Sequence, residues 1–215
     1  LHGIETYIFA STCSVYGSQP NSIITEKSPV SPLDYYAEQK FKSERAINWL
    51  NRAPTIFRFG TLFGFSPRMR FDLVINLFSI QALIEKSITV FGGNQYRPFL
   101  HVSDAADSLI FAIEHNLSGT YNVISENFTI LQAAEKISEL TNCEIKISNE
   151  NEDNRDYKVS GDKIMKMGFK PSKTIEDVVK EMKQAINDGV ILDYKENKYS
   201  NYNLLFGSSK MQEKV

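Results

Sequence analysis

The sequence is poor in the residues that build disulfide frameworks and metal sites. Its two cysteines, Cys13 and Cys143, are too few for a framework and have no metal-ligand spacing. Its three histidines, His2, His101 and His115, do not cluster, so no metal site is expected. An excess of charge of one sign is lacking too: 24 Lys and Arg stand against 26 Asp and Glu, for a net charge of -2. No run of Lys and Arg makes a phosphate-sized patch, which argues against nucleic acid as a partner. Long hydrophobic runs are missing. The longest, "LVINLFSIQALI" from Leu73, is broken by Asn and Gln and is too short to span a bilayer. No signal peptide is recognised, and the expectation is a soluble cytoplasmic protein without a membrane partner. A glycine-rich phosphate loop is also absent. "FGGNQ" does not lie between a strand and a helix in the G-x-G-x-x-G manner, and "GFSPRMR" lacks the glycines.

What is present is an alternation of strands and helices. At 215 residues, with 42% hydrophobic and 23% charged residues, the chain can bury one large core or one and a half smaller ones. Thr6 to Ala10 reads as a buried strand followed by small and polar residues, at the end where open α/β sheets place ligands. A polar loop, Ser18 to Pro32, leads to a helix from about Asp34 to Asn51. "PTIFRFG" is a second strand ending in Gly60 and Thr61. A helix carrying Leu73, Ile75, Leu77, Phe78 and Leu83 follows, then the strand "ITVFGG" turning at Gly92-Gly93. "HVSDAADSLIFAIEH" is a helix and "GTYNV" a strand. "TILQAAEKISEL" has a capping box, Thr129 with Gln132, and "EIKIS" is a strand. The last helix, "TIEDVVKEMKQAINDG", is capped by Thr174 and ended by Gly189. The tail from Asp193, polar and rich in Tyr and Asn, is expected to be an extension or partly disordered.

The stretch "DYYAEQKFKSE" carries the candidate chemistry. Tyr36 and Lys40 are four apart and share one face of a helix. Spacing alone is weak, since "YKENK", Tyr194 to Lys198, repeats it in an ordinary polar stretch. The surroundings are more informative. The first strand delivers Ser11, Thr12 and Ser14 to the sheet's carboxyl edge, and the following loop is long enough to bring the helix back over it. A hydroxyl, a phenol and an ammonium then converge. A phenol with a pKa of about 10 is a poor base at neutral pH, and a neighbouring ammonium favours the phenolate. With Thr12 steadying the substrate oxygen, this set can oxidise an alcohol by hydride transfer to a nicotinamide.

"FASTCSVYG", followed by Tyr36 and Lys40, resembles the extended short-chain dehydrogenase/reductase family, and within it the nucleotide-sugar epimerases and dehydratases. "FRFGTLFG" resembles the family's Arg-x-x-Asn-x-Tyr-Gly strand end, and "FGGNQYRPFLHVSDAADSLIFAI" its substrate-domain signature. "GTYNV", "TILQAAEKI" and "DYKVSGDKIMKMGFKP" follow in family order, so the resemblance covers about residues 4 to 192. It implies an α/β fold: the second part of a Rossmann-like doubly wound parallel sheet with a smaller α+β substrate-binding lobe. Residues 1–64 would be the later strands and catalytic helix of the NAD-binding domain. Residues 65–192 would be mainly the substrate lobe, with segments returning to the sheet, and 193–215 a polar extension. The family's Gly-rich dinucleotide motif should precede this segment by on the order of 100 residues, so the chain reads as a carboxyl-terminal fragment.

The resemblance implies an NAD-dependent nucleotide-sugar epimerase, most like a UDP-glucose 4-epimerase, with NADP not excluded and a homodimer expected at full length. Its catalytic residues would be Thr12, Tyr36 and Lys40, with Lys40 also lowering the Tyr36 pKa. Ala10, Ser11, Tyr36, Lys40 and Gly60 would line the cofactor. Thr12, Ser14, Thr61, Asp72, Arg97 and Arg155 would meet the nucleotide-sugar substrate, Arg97 as a diphosphate clamp. Arg68 and Arg70 either add positive potential or merely flank a loop, and His101 is read as a buried structural histidine. A one-way ketoreductase or dehydrogenase, or a 4,6-dehydratase, is the alternative within the class; a truncated non-catalytic sugar-nucleotide-binding module is the alternative outside it. Dehydratases carry acidic residues after the catalytic Thr. Cys13 and Ser14 stand there, which counts against 4,6-dehydration. Thr61 replaces the family's Asn, Asp72 stands where an Asn often contacts substrate, and Glu150 and Asn151 occupy the region of a usual Arg, for which Arg155 can substitute.

Overall fold

The computed structural model describes residues 6–49, 53–148, 153 and 155–206. Three parallel strands form the first sheet: β1 (Ile8–Thr12), β3 (Thr55–Phe59) and β7 (Gly119–Val123), in the order β1-β3-β7. Their register aligns Thr12 with Phe59 and Phe59 with Val123, so all three strands end at one edge. Side chains alternate across a strand. Phe57 and Phe59 therefore face one side of β3, in a cluster with Ala105 and Ala112 of α3 (Val102–Glu114) and Ile164 of α5 (Asp162–Lys166). Arg58 faces the other side, where it meets Glu44 of α1 (Tyr35–Asn48). Helices thus cover both faces, the doubly wound α/β arrangement that the sequence implies.

β1 extends two residues beyond the strand read from sequence, so Ser11 and Thr12 are its last members. A 3-10 turn, Cys13–Tyr16, follows. The loop expected from Ser18 to Pro32 contains β2 (Gln19–Ile24), paired in parallel with β10 (Tyr157–Val159) across a register shift.

The lobe carries α2 (Val74–Ile84), α4 (Ile130–Thr141) and α6 (Ile175–Asn187) against two small sheets. In one, β6 (Tyr96–His101) lies between β4 (Thr61–Phe63), parallel to it, and β8 (Glu126–Thr129), antiparallel. In the other, β5 (Ser87–Phe91) pairs in parallel with β9 (Glu144–Ser148). Phe78, Ile80, Ile88, Val90, Ile137 and Met182 are among the side chains that form the lobe's core. Both expected N-caps are present: Thr129 and Gln132 form a reciprocal box on α4, as do Thr174 and Asp177 on α6. Among the described residues, no helix is long and apolar enough to cross a membrane.

The expected polar extension departs from expectation over its described part. Tyr194 and Tyr199 are buried in the lobe core, stacked edge-on against Phe71 with centroids 6.0 and 5.0 Å away. The Phe71 N–H donates to the Tyr199 carbonyl at 3.0 Å, and the last described residues form a short helix, α7 (Asn201–Phe206). Aromatic side chains give this polar segment enough apolar surface to pack.

Candidate active site

The site begins with the start of α1. Asp34 has extended backbone and its carboxylate accepts the Ala37 N–H at 2.8 Å, an N-cap that starts the helix one residue before Tyr36. Tyr36, Lys40 and Glu44 then follow at i, i+4 and i+8 on one face. Glu44 fixes that face to the sheet. Its carboxylate, 2% exposed, takes the Arg58 fork at 3.0 Å from Nε and 2.6 Å from Nη2, and the Ser11 hydroxyl at 2.5 Å. Arg58 Nη1 donates to the Tyr16 hydroxyl at 2.9 Å, which donates to Asn122 at 2.7 Å. Burial pushes the Tyr16 phenol up to about 12, against the pull of Arg58. One polar network therefore ties α1 to β1, β3 and β7 directly beneath the strand ends. Sequence reasoning named neither Glu44 nor Arg58 as part of the site. The legible signal was a lone Arg inside the otherwise apolar "TIFRF", which demands a buried partner.

A cleft of about 1180 Å³ opens at those strand ends and runs into the lobe. Every residue singled out from the sequence as a site candidate lines it: Ala10, Ser11, Thr12, Ser14, Tyr36, Lys40, Gly60, Thr61, Asp72, Arg97 and Arg155. The Thr12 hydroxyl oxygen accepts the Ser14 N–H at 3.1 Å and shares a hydrogen bond with the Tyr36 hydroxyl. Gly60 is where the chain leaves the first sheet for the lobe, and a Cβ there would sit 3.0 Å from the Pro98 carbonyl oxygen. Ser11's hydroxyl is committed to Glu44, which leaves its main chain for the cleft.

The electrostatics differ from expectation at Tyr36. Burial raises its phenol above the ordinary value, the Arg70 charge and the Thr12 hydrogen bond pull it back, and Asp34 adds to the rise. The Lys40 ammonium donates to the Ala10 carbonyl at 2.8 Å and lies 5.0 Å from the Phe9 ring centre and 5.8 Å from that of Tyr36. Cys13 points inward: it is 1% exposed, donates to the Arg58 carbonyl at 3.1 Å, and burial pushes its thiol well up. It offers the cleft no acid or base.

At the lobe end of the cleft the guanidinium groups gather. Arg70 pairs with Asp72 through two bonds of 3.0 and 2.8 Å, and Arg68 donates to Asn201 at 2.9 Å. Arg97, 6% exposed, lies over the Tyr157 ring and pairs with Asp153 at 2.9 Å. Arg155 pairs with the same carboxylate. Asp153 was not read from the sequence, and Glu150 and Asn151 lie outside the described residues. His101 is fully buried, 3.1 Å from Glu181, and accepts the Ser103 N–H at the start of α3, as a structural histidine does.

The profile of the NAD dependent epimerase/dehydratase family matches residues 1–123. The uncharacterised UDP-glucose epimerase YtcB of Bacillus subtilis (strain 168) is 31% identical over 148 residues, covering 65% of this chain and 46% of that protein. UDP-glucuronic acid decarboxylase 3 of Arabidopsis thaliana is 34% identical over 151 residues, covering 65% and 44%. Among solved structures, the UDP-N-acetylglucosamine 4-epimerase of Methanobrevibacter ruminantium M1, in complex with UDP-N-acetylmuramic acid, superposes with a TM-score of 0.74 at 26% identity, covering 84% of this chain and 64% of that one. The chain spans about half the length of the curated relatives it matches.

Proposed function

Since the chain belongs to the NAD dependent epimerase/dehydratase family, we propose that it carries the proton-transfer and substrate-binding parts of a nucleotide-sugar epimerase. The observation that carries this reading is the convergence of Thr12, Tyr36 and Lys40 at the carboxyl ends of parallel strands, in one cleft with Arg97 and Arg155. An acid–base pair at one end and guanidinium groups at the other suit a ligand with an alcohol and a diphosphate.

The donor set fits the nicotinamide-ribose end of NAD. Lys40 and Tyr36 offer an ammonium and a hydroxyl to ribose oxygens, and the small residues Ala10, Ser11 and Gly60 leave room along the strand ends. NADP fits that end equally well, because its extra phosphate lies on the distant adenosine ribose. Bound there, NAD would supply a reversible hydride acceptor for the sugar carbon. Tyr36 takes the proton of the sugar hydroxyl and later restores it, while Thr12 holds the same oxygen. Arg97 and Arg155 grip the diphosphate, and Arg70, beside Asp72, supplies the charge that moderates the phenol.

A 4,6-dehydration is disfavoured by the inward-facing Cys13 thiol. A one-way ketoreductase differs from the epimerase only in consuming nicotinamide stoichiometrically. In the NAD-bearing full-length protein, Tyr36→Phe should lower turnover by roughly 10²–10⁴-fold while sugar-nucleotide binding stays within about twofold. Undiminished turnover in that variant would sink the reading. Net nicotinamide absorbance change during turnover separates the reductase from the epimerase.

A further inference from the structure

The lobe end of the cleft already holds an anion of its own. Arg155 faces the Asp153 carboxylate with Nε 3.0 Å from Oδ1 and Nη2 2.6 Å from Oδ2, and Arg97 Nη2 is 2.9 Å from the same Oδ2. Oδ1 also accepts the Arg155 backbone N–H at 3.0 Å. Arg97 Nη1 is spent on carbonyl oxygens of Tyr96, at 2.8 Å, and Arg155. Burial would raise the Asp153 carboxyl, yet the Arg155 hydrogen bonds and the Arg97 charge hold it well below the ordinary carboxylate range, so it is ionised at neutral pH. The members of this cluster differ in exposure: the Arg97 side chain is 7% exposed, those of Arg155 and Asp153 39% and 40%. Arg97 is fixed in the wall, and Asp153 is open to exchange with a ligand's anion.

A diphosphate held by Arg97 and Arg155 needs the same N–H groups that Asp153 now occupies. We propose that Asp153 is a built-in counter-anion that competes with the ligand's diphosphate for Arg97 and Arg155, so that it determines which ligands the cleft retains. The proposal rests on the reading of these arginines as a diphosphate clamp. A ligand with one weak anion exchanges one charge for another and gains little. A diphosphate brings at least two charges and enough oxygens to engage both guanidinium forks. The cleft is thereby poised for diphosphates, and the apparent affinity of any anion for the clamp is reduced by the fraction of molecules in which Asp153 holds it.

The experiment is titration calorimetry on the chain at fixed ionic strength with inorganic pyrophosphate, UDP-glucose and neutral uridine. The expected result is that Asp153→Asn tightens pyrophosphate and UDP-glucose by a common factor of about tenfold and leaves uridine unchanged, while Asp153→Glu, which keeps the charge, stays near the wild type. Equal or weaker pyrophosphate binding in Asp153→Asn would overturn the proposal, as would equal tightening in Asp153→Glu, which would point to disturbed packing instead. No pyrophosphate binding in either protein would also overturn it. Tightened pyrophosphate with no UDP-glucose binding would support the counter-anion and remove the nucleotide-sugar reading. Equal UDP-glucose binding in both proteins would keep that reading and refute the counter-anion.

Discussion

Glu44→Gln tests whether the buried network beneath the strand ends holds α1 in place. The side chain keeps its size, but the carboxylate that faces Arg58 Nε and Nη2 and the Ser11 hydroxyl loses its charge. An amide presents one acceptor and, on its other arm, N–H groups that meet donors of the guanidinium. Arg58, 6% exposed, is left as a buried cation without a counter-charge. Breaking a buried pair by removing one partner costs about 3–5 kcal/mol, a large share of the roughly 5–15 kcal/mol that typically separates folded from unfolded domains. With a urea slope of about 2–3 kcal/mol/M the unfolding midpoint should fall by about 1–2 M. The double variant Glu44→Leu/Arg58→Met removes both charges and should recover most of that loss, leaving the lost partners of the Ser11 and Tyr16 hydroxyls as a cost of about 1–2 kcal/mol. The single variants Glu44→Leu and Arg58→Met and this double form a cycle whose coupling should be large. A loss under about 1 kcal/mol for Glu44→Gln, or additive singles, would refute the reasoning.

Two further outcomes follow from the ionisation of particular groups. Phenolate absorbance of the wild type minus that of Tyr36→Phe should place the Tyr36 transition above about 10; Arg70→Gln should move it higher still and Lys40→Met much less, since Arg70 is the larger pull toward ionisation. A transition below 10 would contradict that assignment. Acid should weaken the fold through Asp153 and Asp177. Hydrogen bonds from Arg155 outweigh burial at the first, and the Thr174 N–H lowers the second. Both folded values lie below the unfolded carboxylate value of about 3.9, so the unfolded chain binds protons first as pH falls below about 5. The stabilisation is complete at neutral pH and is lost on acidification. The urea midpoint should fall between pH 6 and pH 3, and less steeply in Asp177→Asn.

Much of this was legible in the sequence where one segment determines its own structure. The capping box at Thr129, the cap at Thr174, the β3 run "TIFRF" and the Tyr36–Lys40 face needed no partner to be recognised. The strands that escaped notice depend on neighbours. β6 contains Pro98, which lacks an N–H and argues against a central strand; only the pairing with β4 and β8 makes it one. β2 is mostly polar and β10 has only three residues, and each exists as a strand because the other lies beside it. The same division holds in the cleft. Thr12 and Tyr36 were named by local motif, whereas the Arg97–Asp153–Arg155 cluster joins residues more than 50 positions apart, separated by the whole of α3 and α4. The bond from Lys40 to the Ala10 carbonyl was not legible either, because spacing on a helix says nothing about a carbonyl on the adjacent strand.

The raised Tyr36 phenol bears on what the cleft can do alone. Held neutral at neutral pH, it is a ready proton donor to a carbonyl oxygen and a reluctant acceptor from an alcohol. Epimerisation asks one group to do both, which requires positive charge near the phenol when the alcohol proton is taken. Within this chain Arg70 is the principal cation acting on it, and Arg70 is itself held to Asp72 by two hydrogen bonds. Arg70 and Asp72 line the same cleft as Arg97 and Arg155. An anionic ligand that enters meets these guanidinium groups together, so its charge reaches both the clamp and the cation that tunes the proton donor. Under the proposed function, substrate binding and proton transfer are therefore electrostatically linked through Arg70.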